Sequence, residues 1–239
     1  MRKITTIIFI IFSFYGLGQE FNYPILSKTE RNIENFIPLN WKILKSVKGD
    51  LNKDSLSDFA VVFQFIDSVK LINIDSTSEE VYRDTVITQP RILALFFYNK
   101  ATKQFDLIEQ SNTFILNHDN PNMDEPLQDI NIRNNVLTIS FFIFMNSGGW
   151  GMSNNIYRFR YQDNSFKLIG ADYNSTNRGS GKVENRSYNF LTRKELIETG
   201  NISNNKLKKQ RKKISILELK TLKTFPKPFT YEIEKGIYL

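Results

Sequence analysis

Residues 49–64, GDLNKDSLSDFAVVFQ, pass without a break from a run of oxygen-bearing side chains into an apolar run. The apolar part continues to Ile66 and suits a buried strand. Upstream, residues 41–47 also read as a strand, so the polar part is a connection between two strands. Within it, side-chain oxygens stand at Asp50, Asn52, Asp54 and Asp58, which are positions 1, 3, 5 and 9 of the loop. Leu56, at position 7, can add its backbone carbonyl. This alternation wraps hard oxygen donors round one ion, as calcium requires with its six to eight oxygens at about 2.3–2.6 Å. Three carboxylates this close repel one another unless a cation sits between them. An EF-hand is a poor description, because position 12 is Val61 rather than a bidentate Glu and the flanking patterns are strands.

Outward from this loop the chain keeps the same grammar. Its 20 Phe and 10 Tyr fall in short runs bounded by Asn, Asp, Gly and Ser, which predicts many strands joined by tight turns. Strands are expected over 92–98, 104–110, 136–145, 155–161, 165–171, 187–192 and 194–199. The turn Gln162-Asp163-Asn164 suits a hairpin, since Asp and Asn tolerate left-handed backbone. Residues 75–91 carry Asp75, Glu79, Glu80 and Asp84 and read as an exposed loop or ragged hairpin. Ser27-Lys28-Thr29-Glu30 has capping-box spacing, with Ile33, Phe36 and Ile37 behind it, and predicts a short helix over 28–37. Ser215 and Glu218 repeat that spacing, so 216–223 is expected as a short helix or a strand. An internal echo sets Phe97-Tyr98 and Phe105-Asp106-Leu107-Ile108 beside Arg160-Tyr161 and Phe166-Lys167-Leu168-Ile169. Such a repeat suits propeller blades, but the chain holds about three periods, too few for a closed propeller. The class is therefore mainly β: an antiparallel meander or sandwich, or a partial-propeller-like sheet, with short terminal helices.

Residues 1–19 have the layout of a signal peptide. Arg2 and Lys3 precede an apolar stretch, and Gly16 and Gly18 suit the cleavage positions before Gln19. The apolar run is shorter than the roughly 20 residues of a membrane span, so no anchor is expected after cleavage. The expected organisation is one domain over 20–239 with a C-terminal extension, in the periplasm or secreted. No Cys is present, so disulfides, cysteine metal sites and a lipidated cleavage-site Cys are excluded. The net charge of +7 is local. Residues 206–213, KLKKQRKK, hold six of the basic residues; without them and Arg2 and Lys3, 24 basic residues face 25 acidic ones. This run is expected as a solvated basic loop, with docking to anionic envelope polymers as its functional alternative. No aromatic residue interleaves it, which argues against nucleic acid binding by base stacking.

The aspartate loop and the strand after it resemble the FG-GAP and VCBS type of repeat, including the integrin α head, where a D-x-[DN]-x-D-G-x-x-D loop lies between strands. The resemblance implies calcium held by Asp50, Asn52, Asp54, the Leu56 carbonyl and Asp58. Ser55 departs from it, standing where the repeats usually have Gly and having to adopt a backbone conformation that Gly takes freely. The order of this loop, Gly148-Gly149-Trp150-Gly151, the stretch 157–161 and the stretch 188–192 resembles a group of uncharacterised exported bacterial proteins. That group implies export and a shared fold, and no reaction.

Catalytic constellations are thin. The one His, His118, has no strand-turn-helix nucleophile elbow to serve, and zinc sites usually draw on Cys and His. A glycosidase needs two suitably spaced carboxylates, and Asp119, Asp124, Glu125 and Asp129 cluster in one polar connection. In the strip 146–152, Gly148, Gly149 and Gly151 surround Trp150, which could offer a flat face to a ligand or cover the end of a sheet. The function expected is a non-catalytic interaction or envelope protein with a structural calcium loop, whose partner is an envelope polysaccharide or another protein. A secreted carbohydrate-active hydrolase and an inhibitor of a secreted enzyme are the alternatives.

Overall fold

The computed structural model describes residues 21–75, 82–225 and 227–239. The expected signal segment, 1–19, lies outside the described residues, as do Glu79 and Glu80. Among the described residues strands form 57% and helix 2%, in antiparallel sheets that do not close into a barrel. The strands are β1 (Thr29–Glu30), β2 (Trp41–Gly49), β3 (Asp58–Phe65), β4 (Val69–Asp75), β5 (Tyr82–Thr88), β6 (Arg91–Asn99) and β7 (Gln104–Ser111). There follow β8 (Leu127–Arg133), β9 (Val136–Phe144), β10 (Gly151–Gln162), β11 (Ser165–Asn177), β12 (Lys182–Asn189), β13 (Lys194–Asn201) and β14 (Asn204–Lys213). A last small hairpin joins β15 (Glu232–Glu234) and β16 (Ile237–Tyr238).

One sheet has five strands in the order β1-β7-β6-β3-β2; the other is a seven-stranded meander, β8 to β14 in sequence order. β4 and β5 form a separate hairpin. The apolar runs of β3 and β6 follow from burial on both faces. Ala60, Val62, Leu93 and Leu95 point into a core shared with the seven-stranded sheet. Their neighbours Val61, Phe63, Ile92, Ala94 and Phe96 point into a second core, closed by Leu26, Ile33, Phe36 and Trp41. Successive strand residues face opposite ways, so a strand buried on both sides must be apolar at every position. The seven-stranded sheet alternates instead: Leu137, Ile139 and Phe141 of β9 are buried, as are Tyr157 and Phe159 of β10.

The shared core centres on Phe114, which meets Tyr157 at 5.5 Å, Phe159 at 5.1 Å and Phe225 at 5.7 Å, all edge-on. Phe225 comes from the C-terminal segment, which also buries Ile214, Leu222 and Leu239 in that core. The sheets approach closely at one corner, where a Cβ on Gly49 would lie 2.6 Å from Cγ2 of Ile132. The internal echo has a plain structural meaning. The hairpins β6–β7 and β10–β11 lie in opposite sheets, and Phe97 of one packs edge-on against Tyr161 of the other at 4.8 Å. They are two facing hairpins of a sandwich rather than successive blades.

Three expectations are corrected. The helix expected over 28–37 is strand β1 followed by a 3-10 turn, Ile33–Phe36. Glu30 pairs with Phe105 in the ladder instead of capping a helix, and the three-residue spacing of Ile33 and Phe36 is met by one 3-10 turn. Residues 216–223 form neither helix nor strand; Leu168 N–H donates to Lys220 O, and only an isolated bridge, Lys167 with Thr221, links them to β11. The basic run 206–213 is not a loop but part of β14, the edge of the larger sheet. Charges along an edge strand deter pairing with another chain. Two of them are also matched across the ladder. Lys209 Nζ lies 2.7 Å from Glu198, and Lys212 Nζ lies 3.2 Å from Glu195 and also pairs with Glu234. Among the described residues no helix is long and apolar enough to cross a membrane.

The basic run should therefore act unevenly in stability measurements. Lys212→Ser leaves the fully buried Glu195 carboxylate short of a partner and is expected to cost on the order of 2 kcal/mol. Exposed Lys206→Ser and Lys208→Ser should stay within about 0.5 kcal/mol of wild type. Denaturant melts of the three variants check this, and equal small effects would show that Lys212 is dispensable.

Candidate functional site

The aspartate loop is folded by its own side chains. Asp50 accepts from the N–H groups of Lys53 at 2.6 Å and Ser55 at 3.1 Å. Asn52 Oδ1 accepts from Asp54 N–H at 3.0 Å, and Asp54 Oδ1 from Leu56 N–H at 2.7 Å. Lys53 and Ser55 take φ of +71° and +66°. Ser55 thus occupies the left-handed region where Gly is at ease, and a side chain there carries a strain cost. Asp58 differs from the others. It is 0% exposed, and it accepts from Leu51 N–H at 2.8 Å and, across to β6, from Tyr98 N–H at 3.0 Å. Burial pushes its carboxyl up to about 6; the two N–H groups pull downward, and the charge of Asp54 adds to the rise. Among the described residues no three acidic or imidazole side chains form a preset cage. The structure therefore brings Asp50, Asn52 and Asp54 into one hydrogen-bonded loop and turns Asp58 toward the sheet. The donor set is still one of hard oxygens, and a carboxylate oxygen that accepts one N–H keeps a further lone pair.

Trp150 lies at the far end of the larger sheet and is 69% exposed, so it does not cover the sheet end. Its loop is clamped. Arg178 Nη2 donates to Met145 O and Gly149 O, both at 2.7 Å, and its guanidinium sits 4.3 Å from the Phe144 ring centroid. Arg178 N–H also donates to Trp150 O at 2.7 Å. One side of the indole rests on the turn at Gly179, where a Cβ would come within 3.2 Å of Trp150 Cδ2. Gly148 takes a φ of +82°, which lets the loop fold back over Arg178.

A groove that the sequence did not announce runs along the inner face of the larger sheet. β10 to β12 extend past the part of this face that is packed against the core. The same alternation that buries Phe159, Tyr157 and Asn155 then presents Ser153; β11 presents Tyr173 and Ser175, and β12 presents Arg186 and Glu184. The groove comprises a hollow of about 750 Å³ walled in part by residues drawn from the segments 112–119 and 227–238, among them Asn112, Asn117, Phe229 and Tyr238. A second hollow, of about 430 Å³, shares Ile143, Ser153, Tyr173 and Glu184 with it and ends at Gly151 and Asn177, beside Trp150. Arg186 is held in its floor by Glu184 at 2.7 Å and Glu195 at 2.8 Å, and Glu195 is held in turn by Lys212. Burial disfavours the Arg186 charge, but the two carboxylates outweigh it and raise the guanidinium pKa. Burial and then the charge of Glu195 push the Tyr188 phenol above its ordinary value.

The acids expected in one connection do not converge as a catalytic pair, since Asp129 stands in β8 and only Asp119, Asp124 and Glu125 precede it in the connection. Both Glu125 oxygens accept from Arg91 at 2.7 Å. Burial alone would raise this carboxyl, and Arg91 overrides it and holds it below the usual range. Asp124 accepts from Asn146, which ties the connection to the Trp150 loop, and His118 Nε2 lies 2.6 Å from Met123 O. The groove and its ion pairs escaped sequence reading because their residues come from distant segments. The one local signal was the alternation Lys182, Glu184, Arg186, Tyr188, which puts four polar groups on a single strand face.

Comparisons with protein-family models, with curated proteins and with solved structures found no match.

The state of Asp58 can be read directly. Its folded pKa lies above the unfolded value, so metal-free protein should lose stability as pH rises from about 4 to about 6. Asp58→Asn should flatten that slope. Chelator-treated melts across pH check this, and an unchanged slope in the variant would place the titration elsewhere.

Proposed function

We propose that this chain is an exported, non-catalytic interaction protein that presents the Trp150 loop to a protein partner, and that residues 50–58 are a structural calcium site. The observation that carries the reading is a large exposed indole on a loop that Arg178 has already made rigid. Tryptophan is enriched among the few residues that dominate protein interfaces, and a preorganised loop loses little entropy on docking. An inhibitor is the special case in which the partner is a secreted enzyme, and the projecting, clamped shape of the loop favours that form. The hydrolase reading draws less support, because Glu125 and Glu184 are each engaged by an arginine. Trp150→Ala should abolish capture of the partner from envelope extract while the melting temperature stays put. Undiminished capture would sink the loop as the contact.

Calcium would be held by Asp50, Asn52, Asp54, the Leu56 carbonyl and Asp58, and what it supplies is charge neutralisation. Support comes from the hard-oxygen donors and from the repulsion that Asp54 exerts on Asp58. A ligand that binds only the folded form adds roughly 2.7 kcal/mol at a hundredfold excess over Kd. Calcium should raise the melting temperature by several degrees over chelator, magnesium far less, and Asp54→Ala should erase the difference. Identical wild-type melts in calcium and chelator would leave the loop a metal-free turn.

A further inference from the structure

We propose that the groove along β10, β11 and β12 binds a neutral oligosaccharide chain. This goes beyond the loop reading, since it concerns a second site with its own residues. Ligand sites of about 300–1,000 Å³ with aromatic walls and a few fixed polar groups are the usual form of a small-molecule pocket, and the main hollow falls in that range. Its length matters as much as its volume. The two hollows meet at Tyr173, which lines both, so the space is a channel open to an extended ligand rather than a cup for one ring.

Charge decides between ligand classes. Asp119 and Glu184 line the two hollows with Arg186, Lys227 and Lys182. The Arg186 charge is further matched by the buried Glu195 beneath it. Three carboxylates thus face three cations, and an anionic ligand would find no net positive charge. An apolar ligand would bury the hydroxyl of Ser153 and the charges of Glu184 and Arg186 without replacing their water, which disfavours it. A neutral polyhydroxylated chain avoids both penalties. Its hydroxyls can both donate and accept, meeting the carboxylates, the guanidinium and the carboxamide of Asn112. The C–H faces of its rings can lie on the phenol rings of Tyr23, Tyr173 and Tyr238.

The floor is also preorganised. Arg186 cannot swing away, because Glu184 and Glu195 grip two different nitrogens of the guanidinium. Tyr23 is braced by a hydrogen bond with Asn117, which fixes the N-terminal segment against the wall. Polar groups locked in place before the ligand arrives raise affinity by reducing the ordering cost.

The test is calorimetric titration of the mature protein with neutral hexasaccharides of glucose, galactose, mannose and N-acetylglucosamine, and with uronic-acid hexamers as the charged comparison. At least one neutral hexamer should bind, and Tyr173→Ala should weaken it tenfold or more. Tyr173→Phe should retain most of the affinity, guarding against a variant that merely misfolds. Trp150→Ala should leave sugar binding intact, so failure of the loop reading and failure of this one are separable. Absence of binding by all four neutral hexamers, binding confined to the uronic oligomers, or binding indifferent to Tyr173→Ala would each overturn the assignment. Chromatography of the recovered sugar should show unshortened chains; shortened ones would uphold the groove and overturn the non-catalytic reading.

Discussion

Burial of β3 and β6 on both faces constrains the rest of the molecule. A strand with one wet face needs cover on one side only, but here Val61, Phe63, Ile92 and Phe96 look away from the partner sheet and are fully buried nonetheless. Each large side chain of this kind contributes about 1.5–3 kcal/mol when removed from water. The N-terminal segment is therefore not ornamental. Phe36 packs on Phe96 at 4.3 Å, and Trp41 lies edge-on to Phe65 at 5.6 Å, closing the outer core. The other face needs the seven-stranded sheet, and the chain supplies it only after residue 127. The two cores thus draw on opposite ends of the sequence and hold both against the five-stranded sheet.

The larger sheet has more inner surface than its partner packs against, and that mismatch creates the groove. Where apolar partners run out, β12 and β13 place charges on the inner face instead. A buried carboxylate such as Glu195 is costly unless paired, and pairing seldom does more than offset the desolvation penalty. The arrangement of Glu184, Arg186, Glu195, Lys212 and Glu234 thus adds little net stability. It specifies geometry: β14 is held through Lys212, the C-terminal hairpin through Glu234, and the groove floor through Arg186. A purely apolar extension would have called for another covering layer.

Much of the fold was legible because strands with an apolar face announce themselves. Residues 58–65, 91–99 and 136–144 carry enough Val, Ile, Leu and Phe to fix both element and extent. What escaped were elements whose stability comes from elsewhere. Apart from Leu207, β14 is built from Lys, Arg, Asn and Gln, a poor strand-forming composition, and is held by its ladder to β13 and the acids opposite Lys209 and Lys212. Residues 28–37 show helical spacing too short to tell a 3-10 turn from an α-helix, and the ladder with β7 claimed Glu30 first. The aspartate loop was legible as a loop because its oxygens alternate along five consecutive residues. The groove was not, since its residues become neighbours only through the meander.

The position of the aspartate loop explains why an ion there would act on the fold rather than on the groove. Leu51, inside the loop, is fully buried in the shared core, and Asn135 Nδ2 of the β8–β9 turn donates to Asp50 O at 3.0 Å. Asp58 closes the loop through Leu51 N–H and reaches β6 through Tyr98 N–H. The loop therefore joins the ends of β2, β3 and β6 to a turn of the opposite sheet. The charge of Asp54 bears on Asp58 near the corner where Gly49 lets β2 and β8 approach closely. Neutralising that charge would stiffen the joint between the two sheets, and the shared core, which both line, would be the first part of the molecule to register the change.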